Sequence, residues 1–344
     1  MPLFLDMLRR ETVRSPERLS QALEGLRKYQ EAPRPPSAEP MPAVARAKGA
    51  TLRDYGGSGP PVLFVPSLIN PPGILDLSED RSLLRWLARQ GHRPLLLDWG
   101  WDVEQRRSLS VAGHVEEIIV PLIESLGEKP ALAGYCLGGT MAFAAAAIAP
   151  VRSVAAIAAP WHFSGFPPEA RALLQSLWSH GEPTAAALGA LPMEMLQSAF
   201  WSLDPARTVS KFEAFAAMDP LSPQAQSFVT LEDWANDGPP IALAAARELF
   251  EDFFAADLSG RGRWRVGGKA IDPATLPIPF LDIVSTTDRI VPAATAAGSS
   301  GRAATASERI ELALGHVGMV IGSRAPEALW HPLAAWLSRT AGQC

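Results

Sequence analysis

The sequence Gly134-Tyr135-Cys136-Leu137-Gly138 decides the fold. It follows a continuously apolar run and precedes an alanine-rich segment, and a G-x-C-x-G pattern between a strand and a helix is typical of the sharp turn that presents a nucleophile. The two glycines are required because larger side chains would collide in such a turn, and the nucleophile itself occupies a strained backbone region. The positive end of the following helix favours a thiolate. A small buried core cysteine is the alternative, but it would not need flanking glycines at a strand-to-helix turn.

From about residue 50 onward, short apolar runs alternate with helical stretches, which predicts a mostly parallel sheet with crossover helices. Strands are predicted at residues 50–55, 61–66, 94–98, 130–135, 151–158, 280–285 and 309–313. Helices are predicted between them at residues 82–90, 111–126, 138–148 and 326–339. Residues 131–151 carry no charge and are long enough to span a bilayer, but their glycines and proline favour a buried strand, turn and helix, so we expect no transmembrane segment.

The alternation lapses between Trp161 and Pro277, where helical segments at residues 168–179, 193–201 and 242–254 replace it. This insertion follows the strand after the nucleophile turn, which places it above the carboxyl edge of the sheet, where such folds bind ligands. We therefore expect an N-terminal helix and a proline-rich linker over residues 1–49, a core over residues 50–160 and 278–344, and a cap or lid over residues 161–277. The cap's aromatic side chains either face the pocket or a twofold mate, or form the cap's own core.

A nucleophile turn of this kind requires an acid and then a histidine further along the chain. Asp288 follows an apolar strand directly, and His316 follows the next one, so both are expected at the carboxyl edge of the sheet. His316 would take the proton of Cys136, while Asp288 would fix the ring tautomer and stabilise the imidazolium. The remaining histidines considered are expected on solvated surfaces: His92, His114, His180 and His331.

Backbone N–H groups are expected to stabilise the oxyanion that forms during acyl transfer. One donor is the N–H of Leu137, directly after the nucleophile. The other comes from the loop after the strand that ends near Pro66, where Ser67, Leu68 and Ile69 are the candidates.

Composition excludes several other classes of function. A net charge of −5 and a pI near 5.8 give no support for a nucleic-acid surface. Two cysteines cannot form a disulfide scaffold, and the N-terminal residues lack the unbroken apolar run of a secretory signal, so a reducing, cytoplasmic location is expected. No His and Cys cluster has metal-ligand spacing and no phosphate-binding glycine loop follows an early strand, so neither a metal nor another cofactor is expected.

Several segments of the chain resemble polyhydroxyalkanoate synthases. They are residues 134–140 (GYCLGGT), 63–76 (LFVPSLINPPGILD), 81–99 (RSLLRWLARQGHRPLLLDW), 233–237 (DWAND) and 266–268 (VGG). The resemblance runs from about residue 50 to the C-terminus. It implies an α/β-hydrolase fold, a 3-hydroxyacyl-coenzyme A substrate and the triad Cys136, His316 and Asp288. It also implies an acyltransferase at a polyester granule surface that acts as a homodimer, through the cap, or with a partner synthase subunit.

The chain departs from that family in three places. The larger synthases carry a sizeable N-terminal domain, of which only some 45 residues could remain here. Arg289 follows the acid where the family typically has histidine. After the strand at residues 151–158, Trp161-His162-Phe163-Ser164 replaces a Trp, Ser, Pro, Phe, Asp pattern. A hydrolase of hydroxyacyl esters or thioesters, or of polyhydroxyalkanoate oligomers, is therefore a second interpretation; dienelactone hydrolases share a similar elbow but lack a long cap. A third is an inactive granule-associated scaffold, against which the intact triad argues.

Two further groups are candidates for substrate binding. Trp161, together with Trp234, Asn236 and Asp237, is interpreted as part of an acyl tunnel, although a capped turn explains the last three nearly as well. Positive charges at Arg261, Arg263, Arg265 and Lys269 would suit coenzyme A phosphates, but a solvated hairpin is the favoured interpretation of these four.

Overall fold

An eight-stranded sheet forms the centre of the larger part of the chain in a computed structural model that describes residues 2–34, 39–300 and 307–342. Its strands are β1 (Ala43–Ala47), β2 (Ala50–Asp54), β3 (Pro61–Val65), β4 (Arg93–Asp98), β5 (Ala131–Tyr135), β6 (Ser153–Ile157), β7 (Phe280–Ser285) and β8 (Ser307–Leu312). They lie in the order β1-β2-β4-β3-β5-β6-β7-β8. Only β2 is antiparallel to its neighbours, so the predicted mostly parallel sheet is confirmed.

Helices connect the strands. They are α1 (Pro2–Glu11), α2 (Pro16–Glu31), α3 (Leu83–Arg89), α4 (Val111–His114), α5 (Val120–Ser125), α6 (Leu137–Ile148), α7 (Pro168–Leu188), α8 (Met193–Leu203), α9 (Pro205–Ala216), α10 (Pro223–Ala235), α11 (Leu243–Arg247), α12 (Gly318–Ile321) and α13 (His331–Ala341). Wider π-helical turns join α4 to α5, extend α11 through Ala255, and precede α13. Every residue of β3, β5, β6 and β7 is buried, as expected for parallel strands covered on both faces.

The strand β1 begins inside the segment that the sequence predicts as a linker. Pro35–Ala38 of that segment lie outside the described residues. β1 pairs with β2 through a two-residue turn in which Lys48 and Gly49 both have positive φ, at 47° and 79°. A turn with two positive φ values matches the twist of paired strands and favours glycine, which explains how an exposed strand forms in a proline-rich region.

The described residues 2–34 and 193–237 form a compact helical unit with its own core. Its buried apolar side chains are Phe4, Leu8, Ala22, Leu26, Val209 and Phe212. Helices α2 and α9 approach closely because Gly25 has no side chain, and a Cβ there would lie 1.9 Å from the carbonyl oxygen of Phe212. The N-terminal segment contains two helices, and residues 193–237 of the predicted cap belong to this unit rather than with the remainder of that segment.

The rest of the predicted cap, residues 161–192 and 238–277, belongs to the sheet unit. Aromatic rings pack against each other there. Phe253 stacks on Phe163 with ring centroids 5.0 Å apart, and Trp178 stacks on Phe250 at 5.1 Å. Since Phe253 and Phe250 are no more than 2% exposed, these rings form part of the unit's core.

No helix in the described ranges is both long and apolar enough to cross a membrane. The charge-free residues 131–151 consist of β5, a turn and α6.

Candidate active site

Cys136 occupies a strained turn between β5 and α6. Its φ and ψ are 55° and −131°, a backbone conformation that residues other than glycine rarely adopt. The turn is held by two backbone hydrogen bonds: the N–H of Cys136 donates to Ile157 at 2.9 Å, and its carbonyl accepts from Gly139 at 2.9 Å. Strain that the surrounding structure enforces in this way is concentrated at functional sites.

The glycines around Cys136 are sterically required. A Cβ on Gly134 would lie 2.4 Å from the Cα of Gly139, and one on Gly138 would lie 1.9 Å from the carbonyl oxygen of Val65. A Cβ on Gly139 would lie 2.3 Å from the Cβ of Ala159. The elbow therefore packs directly against the ends of β3 and β6, which fixes the position of the cysteine.

Asp288 lies in the loop after β7, with its side chain fully buried. One carboxylate oxygen, Oδ1, accepts hydrogen bonds from the N–H groups of Ile290 at 2.8 Å and Val291 at 2.9 Å. The other, Oδ2, lies 2.6 Å from Nδ1 of His316. Two backbone donors thus fix the carboxylate in the orientation in which it holds the imidazole.

His316 is the centre of the site. Its side chain is 7% exposed, and besides Asp288 it interacts electrostatically with Cys136. The ring packs against the ring of Tyr135 at 4.9 Å, and the Tyr135 hydroxyl donates to the backbone carbonyl of His316 at 3.2 Å. The structure thus brings Cys136, His316 and Asp288 together at one site.

The charges around His316 favour a protonated imidazole. Burial is the largest influence and acts to lower the pKa of His316, but the charge of Cys136 and the hydrogen bond and charge of Asp288 outweigh it. Together they raise the pKa of His316 from 6.5 to about 10. A protonated His316 can donate a proton to a leaving group.

Asp98, the carboxylate at the end of β4, is hydrogen-bonded to residues outside the candidate site. Its Oδ2 accepts from Nε of Arg53 at 2.7 Å, and its Oδ1 accepts from the N–H of Gly100 at 3.0 Å. It therefore supports the end of β4.

The prediction of solvated histidines is wrong for His92 and His114, which are 8% and 3% exposed. Burial lowers the pKa of both rings, that of His114 to about 4. For His114, the apolar neighbours Val111 and Val115 would have been the signal for burial. His180 and His331 are exposed, as expected.

Both predicted sources of oxyanion donors lie beside the elbow, since β3 ends against Gly138. Within the described residues, no hydrogen bond engages the N–H of Leu137 or of Leu68. The N–H of Ile69 donates to Oγ of Ser67 at 3.2 Å. Leu68 and Ser67 are thus the candidates in this loop whose N–H groups make no hydrogen bond within the described residues.

Trp161 lies in the core. It is 3% exposed, and its ring packs against Phe143 at 5.8 Å and Trp264 at 5.9 Å. Its backbone N–H donates to the carbonyl of Thr295 at 2.6 Å. These contacts give it a structural role at the base of the segment that follows β6.

The other predicted substrate-binding residues, Trp234, Asn236 and Asp237, belong to the helical unit. Asn236 ends α10, and its Nδ2 donates to the carbonyl of Glu232 at 2.8 Å. This is the capped turn that the sequence offered as the alternative.

The basic residues at positions 261–269 lie on exposed loops and on a short hairpin. Arg265–Val266 pairs with Lys269–Ala270 across two glycines, and Lys269 Nζ donates to Ala147 at 3.4 Å. Arg261, Arg263, Arg265 and Lys269 are all exposed, in agreement with a solvated hairpin.

Sequence reasoning missed Trp99 and Arg106. Both are 3% exposed. Trp99 donates to the carbonyls of Pro66 and Ser67, in the loop after β3, and Arg106 donates to the carbonyl of Gly100. The available signal was the position of Trp99, directly after the polar residue that ends β4.

Comparison with known proteins identifies the family of the chain. The alpha/beta hydrolase family matches residues 62–331, and the chain belongs to that family. Among curated proteins, poly(3-hydroxyalkanoate) polymerase subunits PhaC are similar to it. The protein from Haloferax mediterranei is 28% identical over 81% of this chain and 58% of its own length. That from Haloarcula marismortui is 26% identical over 86% and 64%, and that from Allochromatium vinosum is 27% identical over 81% and 80%. The chain thus spans less than two thirds of the two haloarchaeal relatives, and the resemblance to polyhydroxyalkanoate synthases is confirmed.

Solved structures share the fold. A monoacylglycerol lipase from Paleococcus ferrophilus superimposes with a TM-score of 0.53 at 18% identity, covering 85% of this chain and 99% of the lipase. A hydrolase from Oleispira antarctica gives a TM-score of 0.53 at 13% identity, covering 86% and 99%. At these identities the likeness concerns the fold alone.

Proposed function

We propose that the chain is an acyltransferase that takes a 3-hydroxyacyl group from a coenzyme A thioester and holds it on Cys136. The observation that carries the proposal is the strained elbow at Cys136 beside His316, which is hydrogen-bonded to the buried Asp288. The similarity to poly(3-hydroxyalkanoate) polymerase subunits supports the choice of acyl group.

The hydrogen bond to Asp288 supports an assignment of the two ring nitrogens of His316. Nδ1 of His316 donates to Asp288, so Nε2 is the nitrogen that serves Cys136. The sulfur attacks the thioester carbonyl carbon, the bond from that carbon to the coenzyme A sulfur breaks, and His316 gives its proton to the leaving thiolate. A hydroxyl group then attacks the acyl carbon while His316 takes its proton. The bond from that carbon to the Cys136 sulfur breaks, the sulfur leaves as a thiolate, and Asp288 stabilises the imidazolium.

A cysteine suits transfer because the acyl-enzyme is itself a thioester. Exchange of one thioester for another changes the free energy little, so the acyl group stays reactive toward an alcohol. Water in place of the alcohol would make the same site a hydrolase.

The oxyanion of each tetrahedral intermediate would be bound by the N–H groups of Leu137 and Leu68. Neither N–H makes a hydrogen bond within the described residues, and Leu137 also stands at the positive end of α6. Ile69 is less suitable because Ser67 engages its N–H.

The direct test is incubation of the purified protein with 3-hydroxybutyryl-coenzyme A. Released thiol, the mass of the Cys136-containing peptide, free acid and insoluble polyester are measured together. Polyester with an acylated Cys136 supports the transferase, whereas free acid alone supports a hydrolase of hydroxyacyl esters or thioesters. Equal thiol release by wild type and Cys136→Ala would overturn the nucleophile and with it both activities.

The relatives' names describe them as subunits, which supports a second proposal: this chain acts as a homodimer or with a partner synthase subunit at a polyester surface. Sedimentation of the protein with and without substrate tests this. A monomer that makes polyester alone would contradict it.

A further inference from the structure

Trp99 clamps the loop that carries the second oxyanion donor. It directly follows β4, and its indole Nε1 donates to two carbonyl oxygens at once, those of Pro66 at 3.3 Å and Ser67 at 3.1 Å. Both carbonyls belong to the short stretch between the end of β3 and Leu68. A buried side chain that is 3% exposed therefore holds two successive peptide units.

Because the peptide bond is planar, the contact between the indole and the Ser67 carbonyl also fixes the direction of the Leu68 N–H. The carbonyl of Ser67 and the N–H of Leu68 belong to one plane and point in opposite directions. When the indole binds the Ser67 oxygen, the Leu68 N–H is directed away from the indole. At the same time Ser67 Oγ engages the N–H of Ile69, so the Leu68 amide is better suited than that of Ile69 to bind an oxyanion.

Arg106 holds the backbone at Trp99, and His114 packs against the indole ring. Arg106 donates through Nη1 to the carbonyl of Trp99 and through Nη2 to that of Gly100, the latter at 3.2 Å. The ring of His114 packs edge-on against the Trp99 ring at 5.6 Å. Burial lowers the pKa of His114 to about 4, so that ring is neutral beside the guanidinium at ordinary pH.

The space around this group is small. A cavity of about 20 Å³ is bounded by Leu68, Trp99, Arg106 and His114, together with residues 239–242. That volume holds no more than a water molecule, so the indole cannot turn within it. Rotation of the Ser67–Leu68 peptide would break the bond to Ser67 without offering that carbonyl another place in the packed interior.

We propose that Trp99, held by Arg106, is a positioning residue that sets the oxyanion hole by fixing the Ser67–Leu68 peptide. This inference rests on the proposed function, since it takes acyl transfer at Cys136 as the reaction. Trp99 itself touches no reacting atom; it acts through the amide of Leu68.

Two reactions of the same sulfur test the inference. Acylation by 3-hydroxybutyryl-coenzyme A forms an oxyanion, whereas alkylation by iodoacetamide displaces iodide at a saturated carbon and forms none. Trp99→Phe keeps an aromatic ring, although a smaller one, and removes the N–H donor. We expect it to slow acylation roughly 10- to 100-fold with little change in KM, because a misplaced donor weakens binding of the transition state alone. Alkylation of Cys136, followed on its own peptide, should keep the wild-type rate.

Trp101→Phe is the matched control, since Trp101 lies two residues away and is 58% exposed. It should leave both rates unchanged. Unchanged acylation in Trp99→Phe would overturn the inference, and so would an equal loss of acylation and alkylation, which indicates general damage to the elbow. If Trp99→Phe does not fold, Arg106→Gln carries the same comparison with the same expected split. Absence of acylation in the wild type would instead refute the proposed function.

Discussion

At the scale of single residues, the strained backbone of Cys136 makes a clear prediction about its replacement. Cys136→Ala should abolish acyl-enzyme formation and leave the melting temperature within a few degrees of wild type, because the change removes the nucleophile but little volume. Mass spectrometry after incubation with thioester and a thermal melt check the two parts. The chain's other cysteine provides the control: Cys344→Ala should still be acylated, and acylation surviving in Cys136→Ala would contradict the assignment.

The second prediction concerns the proton on His316. The pKa of the ring is raised from 6.5 to about 10, so its ionic contacts stabilise the folded chain fully below about pH 6.5 and are lost as the pH rises through about 10. In Cys136→Ala the pKa of His316 should fall, because one of the charges that raise it is gone while burial still lowers it. Titration of the ring followed by NMR measures this; an unchanged or higher pKa would show that Cys136 carries no charge next to His316.

Asp288→Asn tests the acid. An amide can hold the ring in the wrong tautomer, and we expect acylation to slow by roughly 10⁴-fold, as in serine triads. Asp98→Asn is the control. Because Asp98 binds Arg53, this variant should keep the rate within about tenfold of wild type. Single-turnover kinetics compare the two variants, and a loss below tenfold for Asp288→Asn would point to another carboxylate.

At the scale of elements, the contact between α6 and the end of β3 depends on Gly138. A methyl group there would meet the carbonyl oxygen of Val65 at 1.9 Å, so Gly138→Ala must displace backbone. We expect a loss of about 1–3 kcal/mol or more in the free energy of unfolding, measured by urea denaturation. Gly113→Ala is the matched control, because its new methyl would find ordinary contacts at 3.4 Å and the variant should be no less stable.

The parallel strands could be predicted from the sequence almost to the residue, because each is a buried apolar run bounded by turn residues. β3, β5 and β7, for example, begin and end within one residue of the prediction. β1 could not, since its exposed alanines and arginine carry no alternating pattern, and its pairing depends on the turn at Lys48 and Gly49.

The candidate site was predictable where it depends on chain order. The elbow motif requires an acid and a histidine after later strands, and the structure joins Asp288 to His316 in that order. The contact of Trp99 with Pro66 and Ser67 was beyond sequence reasoning, since it joins residues more than thirty positions apart through one indole nitrogen.

At the scale of the whole molecule, the chain divides into two units with separate cores, which the sequence did not suggest. The signal was hidden because α1 and α2 pack with helices that lie about two hundred residues later, and such long-range pairing leaves no local pattern.

Phe212→Ala tests the helical core. Phe212 is 3% exposed and touches the rings of Phe4, Tyr29 and Phe228, so its loss should cost about 3–5 kcal/mol. Amide hydrogen exchange should accelerate in residues 2–34 and 193–237. Phe64→Ala, in the fully buried β3, should instead accelerate exchange in β3 and its neighbours; identical exchange maps for the two variants would contradict separate cores.

The order of the sheet leaves β1 and β8 as its outer strands, and this bears on how the protein behaves when concentrated. An outer strand offers unpaired backbone groups on which another chain can add a strand. β8 carries Glu308, Arg309 and Glu311, and β1 is short, irregular between Ala43 and Ala45, and carries Arg46. Stacking two molecules edge to edge would bring these charges together without water. We therefore expect these charges to oppose edge-to-edge pairing of the outer strands when the protein is concentrated.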